Sequence, residues 1–213
     1  MNKVISKSFL WMFVGLLVTF LTGLYVSTSE VMINNIFSGS LFYILIILEF
    51  VLVIFFSARV HKMSSTTAKI CFLLYSFVSG LTFSAIFIAF EVSSIIFIFL
   101  VSAVIFGIFG LIGYKTSMDL TKVGTYLLMG LIGVILVSII NMFIHSDSLS
   151  FVLSILVLII FMGFTAYDVQ KIKRYAESGV NNETLSVYGA FELYLDFINI
   201  FIKLLQLFGK GRD

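Results

Sequence analysis

Long apolar runs alternate with short polar stretches along the whole chain of 213 residues. Seven runs carry few or no charges, and we predict one membrane-spanning helix in each: 9–29, 41–58, 70–90, 92–114, 123–144, 151–172 and 185–208. Most of them approach the ~20 residues that an α-helix needs to cross a ~30 Å hydrocarbon core. The pattern therefore predicts an all-α integral membrane protein, with residues 1–213 forming one seven-transmembrane-helix bundle.

The polar stretches between these runs are short. The third and fourth runs are separated only by Glu91 and its neighbours, which predicts a tight helical hairpin. The longest polar stretch, 173–184, contains Gly179 and the pair Asn181 and Asn182, residues that interrupt helices. We therefore predict a loop over 173–184, and no separate soluble domain fits elsewhere.

The composition excludes several classes of protein. Hydrophobic residues make up 61% of the chain and charged residues 11%, whereas a soluble domain is about 25% charged. The net charge of +2 is too small and too dispersed to indicate a nucleic-acid partner. Cys71 is the only cysteine and the two histidines lie far apart, so we predict no high-affinity metal site and no cofactor.

Basic residues fall in alternate loops and orient the predicted bundle. These residues are Lys3, Lys7, Arg59, Lys62, Lys69, Lys115, Lys122, Lys171, Lys173 and Arg174. The intervening loops carry acidic residues or histidine and neither lysine nor arginine, so the positive-inside rule places the N-terminus in the cytoplasm. Seven spans would put the C-terminus outside. Lys210 and Arg212 oppose that placement, which leaves a re-entrant last segment as the alternative.

Small residues recur on the third, fourth and fifth predicted helices. They are Ser76, Gly80, Ser84, Ala103, Gly107, Gly110, Gly113, Gly130 and Gly133. In lipid, small residues on one helix face let two backbones approach closely. We predict close packing at these positions; lining a conduit or permitting a bend is the alternative.

Polar residues form a stripe on the last predicted helix. They are Glu192, Asp196, Asn199, Lys203 and Gln206, separated by three or four residues. This spacing places all of them on one helix face. We therefore predict that the last helix is central and faces the protein interior or water. For Lys203 and Gln206 we expect a structural role, as members of a group that pairs internally with Glu192 and Asp196, since a lysine near a helix end is able to reach the membrane surface.

Two aspartates are the candidate functional pair. Asp168 lies near the cytoplasmic end of the sixth run and Asp196 in the middle of the seventh. Ionisable groups at membrane depth are costly and often mark ion or proton pathways. If these carboxylates meet in a low-dielectric site they cannot both ionise cheaply, and they would share a proton near neutral pH. Such a pair is a pH switch. Glu49, in the middle of the second run, is a further intramembrane acid.

Two stretches, 163–172 and 193–209, carry a family resemblance. The first reads GFTAYDVQKI and the second LYLDFINIFIKLLQLFG. Together they resemble the Bax inhibitor-1 family, also called the transmembrane Bax-inhibitor-motif family, and its bacterial YetJ-type members. The similarity extends over the whole chain in length and number of spans, and it implies a seven-helix bundle whose last helix is central.

The resemblance also implies a function. It indicates a pH-sensitive calcium leak channel in which Asp168 and Asp196 form the pH sensor and gate and contact calcium transiently. It implies that Arg59, at the end of the second helix, is a possible partner of the pair. Glu49 matches an acidic position that could serve the cation path, and Glu192 and Asn199 are further candidates for it. The expected partners are calcium ions, protons and membrane lipid, in a bacterial cytoplasmic membrane.

Three alternatives remain open at this point. A proton-coupled cation exchanger would use the same aspartates to carry protons. An intramembrane aspartyl protease would also use paired aspartates, but it requires Gly-x-Gly-Asp where this chain has Tyr194-Leu195-Asp196, and a proline motif where this chain has no proline. A partner-binding regulator of cell survival would need a docking surface, which the short loops do not offer. We expect a transport protein and not an enzyme.

Overall fold

The chain folds into a series of α-helices. A computed structural model describes residues 3–177 and 183–212. Its helices are α1 (Lys3–Ser27), α2 (Glu30–Phe37), α3 (Leu41–Arg59), α4 (Ser65–Ala89), α5 (Val92–Lys115), α6 (Thr121–Ile144), α7 (Asp147–Glu177) and α8 (Glu183–Phe208). All of these helices except α2 are long and apolar enough to cross a membrane, which confirms the seven predicted spans.

The helices extend beyond the apolar runs that predicted them. α7 continues to Glu177, so the predicted loop is wrong at its start, since 173–177 is helical. Gly179, Asn181 and Asn182 lie outside the described residues. Hydropathy marks only the lipid-immersed part of a helix, whereas lysine, arginine and glutamate are good helix formers and continue it into the interface.

The short helix α2 was not expected from the sequence. The backbone N–H of Met32 donates to the Ser29 hydroxyl at 3.4 Å, which caps the start of the helix. Glu30 follows in the first turn, where a negative charge is favourable. At eight residues α2 is too short to span a membrane, so a search for long apolar runs passes over it.

Contacts divide the chain into two compact units. The first contains Met1–Val92, Ala176–Tyr194 and Gly211–Asp213, and the second contains Ser93–Tyr175 and Leu195–Lys210. α8 contributes its first half to one unit and its second half to the other. Each unit is described by itself below.

In the first unit α1 packs closely along α4. A Cβ added at Gly80 would lie 2.5 Å from the Cβ of Thr22 and 2.9 Å from the carbonyl oxygen of Thr19. A Cβ at Gly15 would lie 2.4 Å from the Phe72 ring. Ser76 and Ser84 are buried on the same helix. The predicted role of these small residues in packing is therefore confirmed for α4.

Within the first unit, the start of α8 and the residues that follow α8 both contact α4. Near the start of α8, the Glu183 carboxylate lies 2.8 Å from Nζ of Lys69 and 3.9 Å from Nζ of Lys7. Beyond the end of α8, the backbone N–H of Arg212 donates to the carbonyl of Ala89, the last residue of α4, at 2.9 Å. Glu183 and Arg212 therefore lie at opposite ends of α4, so the segment between them covers the length of that helix. This favours a full span over a re-entrant segment. The charge of Arg212 is accommodated there because helix C-termini attract cations.

In the second unit the backbones of α5 and α7 meet at one glycine. A Cβ added at Gly113 would lie 2.0 Å from the carbonyl oxygen of Ala166. Gly124 faces the Tyr167 ring in the same way, at 2.7 Å. Around Gly107 and Gly133, however, there is open space, so the packing prediction is wrong at these two positions.

The last helix is the most polar and the most buried of the seven candidate spans. Mean hydropathy is 1.4 over its best window, against 2.0 to 3.0 for the others, yet 67% of that window is buried, against 11 to 44%. Its Phe191 and Tyr194 pack on the rings of Phe72 and Tyr75 in the first unit. These values fit the predicted central position of the last helix.

Candidate functional site

Both candidate aspartates are buried in the second unit. Asp168 lies on α7 and is 7% exposed, and Asp196 lies on α8 and is 3% exposed. Oδ2 of Asp196 is buried. Lys171, one turn further along α7, places its Nζ 3.9 Å from Oδ1 of Asp168. The two sequence-predicted acids are therefore both buried, in helices of one unit.

A small cavity opens beside Asp168 at the same end of α7. It has a volume of about 200 Å³, and its lining includes Tyr167, Gln170, Lys171 and Arg174. One of these residues, Lys171, shares a helix face with Asp168, since residues three apart on a helix are neighbours. The cavity brings a polar, water-sized space to within about one helical turn of the carboxylate.

The loop between α5 and α6 is fastened to this part of α7 by side-chain hydrogen bonds. Gln170 Nε2 donates to the carbonyl of Met118 at 2.7 Å, and the backbone N–H of Leu120 donates to Gln170 Oε1 at 2.9 Å. Lys173 Nζ donates to the carbonyl of Tyr114 at 2.9 Å. These bonds fix the position of the helix segment that carries Asp168.

Asp119 adds an exposed ion pair to the same loop. Its Oδ1 accepts hydrogen bonds from the hydroxyl and the backbone N–H of Thr121, at 2.6 and 2.9 Å, and lies 2.7 Å from the Arg174 guanidinium. The Thr121 bonds first, and Arg174 second, hold the pKa of Asp119 well below its usual range. This carboxylate is therefore ionised throughout the neutral pH range.

Glu49 lies in a chain of hydroxyl groups in the first unit. The Thr82 hydroxyl donates to Glu49 Oε1 at 2.5 Å. The Thr82 hydroxyl also lies 2.9 Å from the carbonyl oxygen of Ser79, and the Ser79 side chain interacts electrostatically with Glu49, Tyr75 and Tyr194. An acid in α3 is thus connected through two hydroxyl residues of α4 to α8.

This series of polar side chains reaches α1 at Thr19. Its hydroxyl donates to the carbonyl of Ser76 at 2.9 Å and lies 2.6 Å from the hydroxyl of Tyr194. Because Thr19 has a single hydroxyl hydrogen, which the Ser76 carbonyl takes, Tyr194 is the donor in the second bond. Sequence analysis missed both residues, since Thr19 stands alone in an apolar run and its partner lies far along the chain.

The polar stripe of α8 is partly satisfied within its own helix. The Asn199 amide donates to the carbonyl of Leu195 at 2.8 Å. Lys203 Nζ donates to Gln206 Oε1, also at 2.8 Å, so these two residues of the expected group pair with each other. Glu192 is half-buried, with its Oε2 atom buried.

The remaining site residues are divided between the units. Glu49, Arg59 and Glu192 belong to the first unit, and Asn199 belongs to the second with the aspartates. Arg59 is the last residue of α3 and is exposed. The contacts predicted among Arg59 and the aspartates stay predictions.

The described residues contain no group of three or more histidine, cysteine, aspartate or glutamate side chains that could hold a metal ion. Calcium in a tight protein site takes six to eight oxygen ligands, roughly, at short distances. The carboxylates discussed above are instead dispersed over several helices.

Comparison with known proteins places this architecture in a family. The family model for the inhibitor of apoptosis-promoting Bax1 matches residues 1–213. A protein of Borreliella burgdorferi is 41% identical over 100% of this chain and 94% of its own length. Inner membrane protein YbhL of Escherichia coli is 41% identical over 95% of this chain and 89% of its own length. A membrane protein of Streptococcus pyogenes is 39% identical over 78% of this chain and 72% of its own length. With seven apolar helices and a match over its full length, the chain belongs to the Bax inhibitor-1 family of integral membrane proteins.

Proposed function

We propose that this protein is a pH-sensitive calcium leak channel in which Asp168 and Asp196 are the pH sensor and the gate. Its family membership and its seven spans are consistent with a channel or transporter. The observation that carries the finer proposal is the burial of both carboxylates in helices of one unit, at 7% and 3% exposure. Because such groups are costly in a membrane, they are kept where they have a function.

The proposed gate follows from the titration of two coupled acids. When the pair holds one proton, a short hydrogen bond between the carboxyl groups draws α7 and α8 together. When the proton leaves, two negative charges in a low-dielectric site repel each other and the helices separate. The cavity whose lining includes Lys171, one helical turn from Asp168, is the proposed route for protons to the α7 acid.

The proposed ion path uses oxygen atoms that bind calcium weakly. Carboxylates along a pore favour cations, and Glu49, Glu192 and Asn199 supply oxygen ligands on α3 and α8. Weak, transient contacts let an ion leave as readily as it enters. We place the protein in a bacterial cytoplasmic membrane with its N-terminus in the cytoplasm, on the distribution of lysine and arginine among the loops.

Calcium flux into liposomes tests this proposal. The purified protein is reconstituted with a calcium-sensitive dye inside the vesicles, and influx is measured from pH 6 to 8 for the native chain, Asp168→Asn and Asp196→Asn. The native chain should show a pH-dependent flux with a midpoint near neutrality. Either substitution should flatten that dependence, because a single remaining acid has no partner with which to share a proton.

Asp147→Asn is the matched control, since this exposed aspartate lies at the start of α7, far along the helix from Asp168. It should keep the native midpoint. Absence of calcium flux from the native protein at every pH would reject the channel. A pH response that survives in both aspartate variants would reject the pair as sensor.

A proton-coupled calcium exchanger is the second candidate, and the hydroxyl chain of the first unit favours it. Glu49, Ser79 and Tyr194 interact with one another within the first unit, and polar side chains in series are able to pass a proton. In an exchanger, calcium flux would follow an imposed proton gradient even at fixed pH on the sensor side. In a leak channel it would not, and Ser79→Ala would leave flux unchanged.

A further inference from the structure

A second cavity of the second unit lies at the opposite end of α7 from the one near Asp168. It has a volume of about 660 Å³ and is bounded by the end of α6, the start of α7 and the end of α8. Its polar lining includes Asp147, Ser150 and Ser154 from α7, with Lys203 and Gln206 from α8. None of these residues has a part in the proposed gate.

One positive and one negative side chain line this cavity without neutralising each other. Lys203 donates to Gln206 but forms no ion pair with a described residue, and neither does Asp147. A ligand with a single charge would satisfy one of them and repel the other. A zwitterion satisfies both, provided that its two charges are separated by more than the length of an ion pair.

The order of residues along α7 shows which zwitterion fits. Asp147, the first residue of the helix, is exposed at the rim, and the hydroxyls of Ser150 and Ser154 follow further along the helix. The apolar side chains of Leu153 and Val157 line the deeper part, Val157 lying about 15 Å along the axis from Asp147 at ~1.5 Å per residue. From the rim inwards, the cavity offers a carboxylate, then hydroxyl groups, then hydrocarbon side chains. A phospholipid presents an ammonium, then a phosphate and ester groups, then an acyl chain, so the two series are complementary.

Lys203 lies at the depth that this arrangement requires. It is five residues before the end of α8, which is about 7.5 Å from that end. It is half-buried, whereas Asp147 is exposed. A phosphate at this level would take a charge-assisted hydrogen bond from Lys203, while an ammonium further out would donate to Asp147.

We propose that this cavity binds the headgroup of a zwitterionic phospholipid with a primary ammonium group, that is, a phosphatidylethanolamine. Lys203 holds the phosphate, Asp147 holds the ammonium, and Ser154 is placed to donate to an ester oxygen, since the Ser150 hydroxyl already donates to the carbonyl of Ser146 at 3.1 Å. A choline headgroup lacks N–H donors and would bind Asp147 less well. A glycerol headgroup lacks the cation altogether.

Lipid binding to the delipidated protein in detergent tests this assignment. Native mass spectrometry would give dissociation constants for short-chain phosphatidylethanolamine, phosphatidylcholine and phosphatidylglycerol. The native protein should bind one phosphatidylethanolamine in preference to the other two. Lys203→Gln should weaken that binding by about tenfold or more, the loss expected for one charge-assisted hydrogen bond. Asp147→Asn should remove the preference for ethanolamine over choline.

Lys122→Gln and Glu30→Gln are matched controls, because both residues are exposed charges at the ends of other helices, and they should bind as the native protein does. Lys203→Arg should retain binding, which separates loss of charge from loss of fold. Equal binding of phosphatidylglycerol and phosphatidylethanolamine would overturn the assignment in favour of a simple anion site. If free phosphoethanolamine bound as tightly as the lipid, the ligand would be a soluble phosphate compound and not a phospholipid. If Lys203→Gln bound the lipid as the native protein does, the assigned site would be wrong. None of these measurements depends on calcium flux.

Discussion

At the scale of single residues, the buried hydroxyl chain explains why a tyrosine and a threonine stand in otherwise apolar helices. Thr19 is 1% exposed and Tyr194 is fully buried, and each satisfies the other's hydrogen-bonding capacity. A buried hydroxyl without a partner would cost free energy, and in lipid water cannot replace the partner. The pair therefore fastens α8 to α1 at a fixed rotation.

Tyr194→Phe tests that role. The substitution keeps the ring packing and removes the donor to Thr19, so the free energy of unfolding should fall by about 1 kcal/mol, the typical value of one such bond. Denaturation in detergent micelles measures the change. Tyr126→Phe is the control, because Tyr126 is 69% exposed; an equal loss there would show that the Thr19 bond is not the cause.

Asp119 lies near the proposed gate but changes its protonation at a pH well below the range in which the gate is proposed to respond. Its lowered pKa means that its bonds to Thr121 and Arg174 are fully formed above the usual aspartate pKa and are lost only as the pH falls through its depressed value. Between pH 6 and 8 its charge is constant. Asp119→Asn should therefore leave the midpoint of calcium flux where it is, and a shifted midpoint in the liposome assay would implicate this loop in pH sensing.

At the scale of helices, small residues decide how closely two backbones approach. Sequence analysis found these residues and named close packing as their role, yet it could not tell which of them face a neighbour. Gly113 and Gly107 both lie on α5, but only Gly113 has a backbone against it. The distinction depends on the rotation of the helix about its axis, and α5 is apolar on all sides, so no amphipathic stripe reveals it.

Two alanine substitutions on α5 should have opposite effects. Gly113→Ala would place a Cβ against the Ala166 carbonyl and force α5 and α7 apart, with a loss of about 3 kcal/mol, at the upper end for overpacking. Gly107→Ala has open space and should stabilise by up to about 1 kcal/mol, through helix propensity. Thermal unfolding of both variants in one detergent gives the comparison, and a destabilised Gly107→Ala protein would contradict it.

The same limit explains which parts of the candidate site could be predicted. The spans, the polar stripe and the buried acids Asp168 and Asp196 are visible in the chain because charge is rare in apolar runs. The Glu49 to Thr19 hydroxyl chain was not visible, since serine and threonine are common in membrane helices and their partners lie on distant segments. The helical extension of α7 to Glu177 was hidden by its charged residues, which hydropathy counts against a span.

At the scale of the whole molecule, the loop charges predict one orientation in the membrane. The tail charge of Arg212, which opposes it, lies at the end of α4, where the guanidinium is 3.5 Å from the carbonyl oxygen of Phe87. A charge held by helix carbonyls is not free to act as a topological signal. The N-terminus is therefore expected inside and the residues after α8 outside.

Cysteine accessibility in intact cells tests the orientation. In a Cys71→Ser background, Ser40→Cys should react with a membrane-impermeant maleimide, and Ser117→Cys should react only after lysis. Both positions are exposed and lie in loops on opposite sides of the predicted bundle. The reverse pattern would place the N-terminus outside.

The polarity of α8 has a consequence for the order in which the protein is made. With a mean hydropathy of 1.4, α8 is the span that lipid alone accepts least readily. It is also the last of the seven to leave the ribosome, so α1 and α4, which contribute Thr19 and the aromatic rings that receive it, are already in the bilayer. The least hydrophobic span is thus synthesised after the helices on which it packs. A permuted chain that made α8 first would have to insert it without that protein surface.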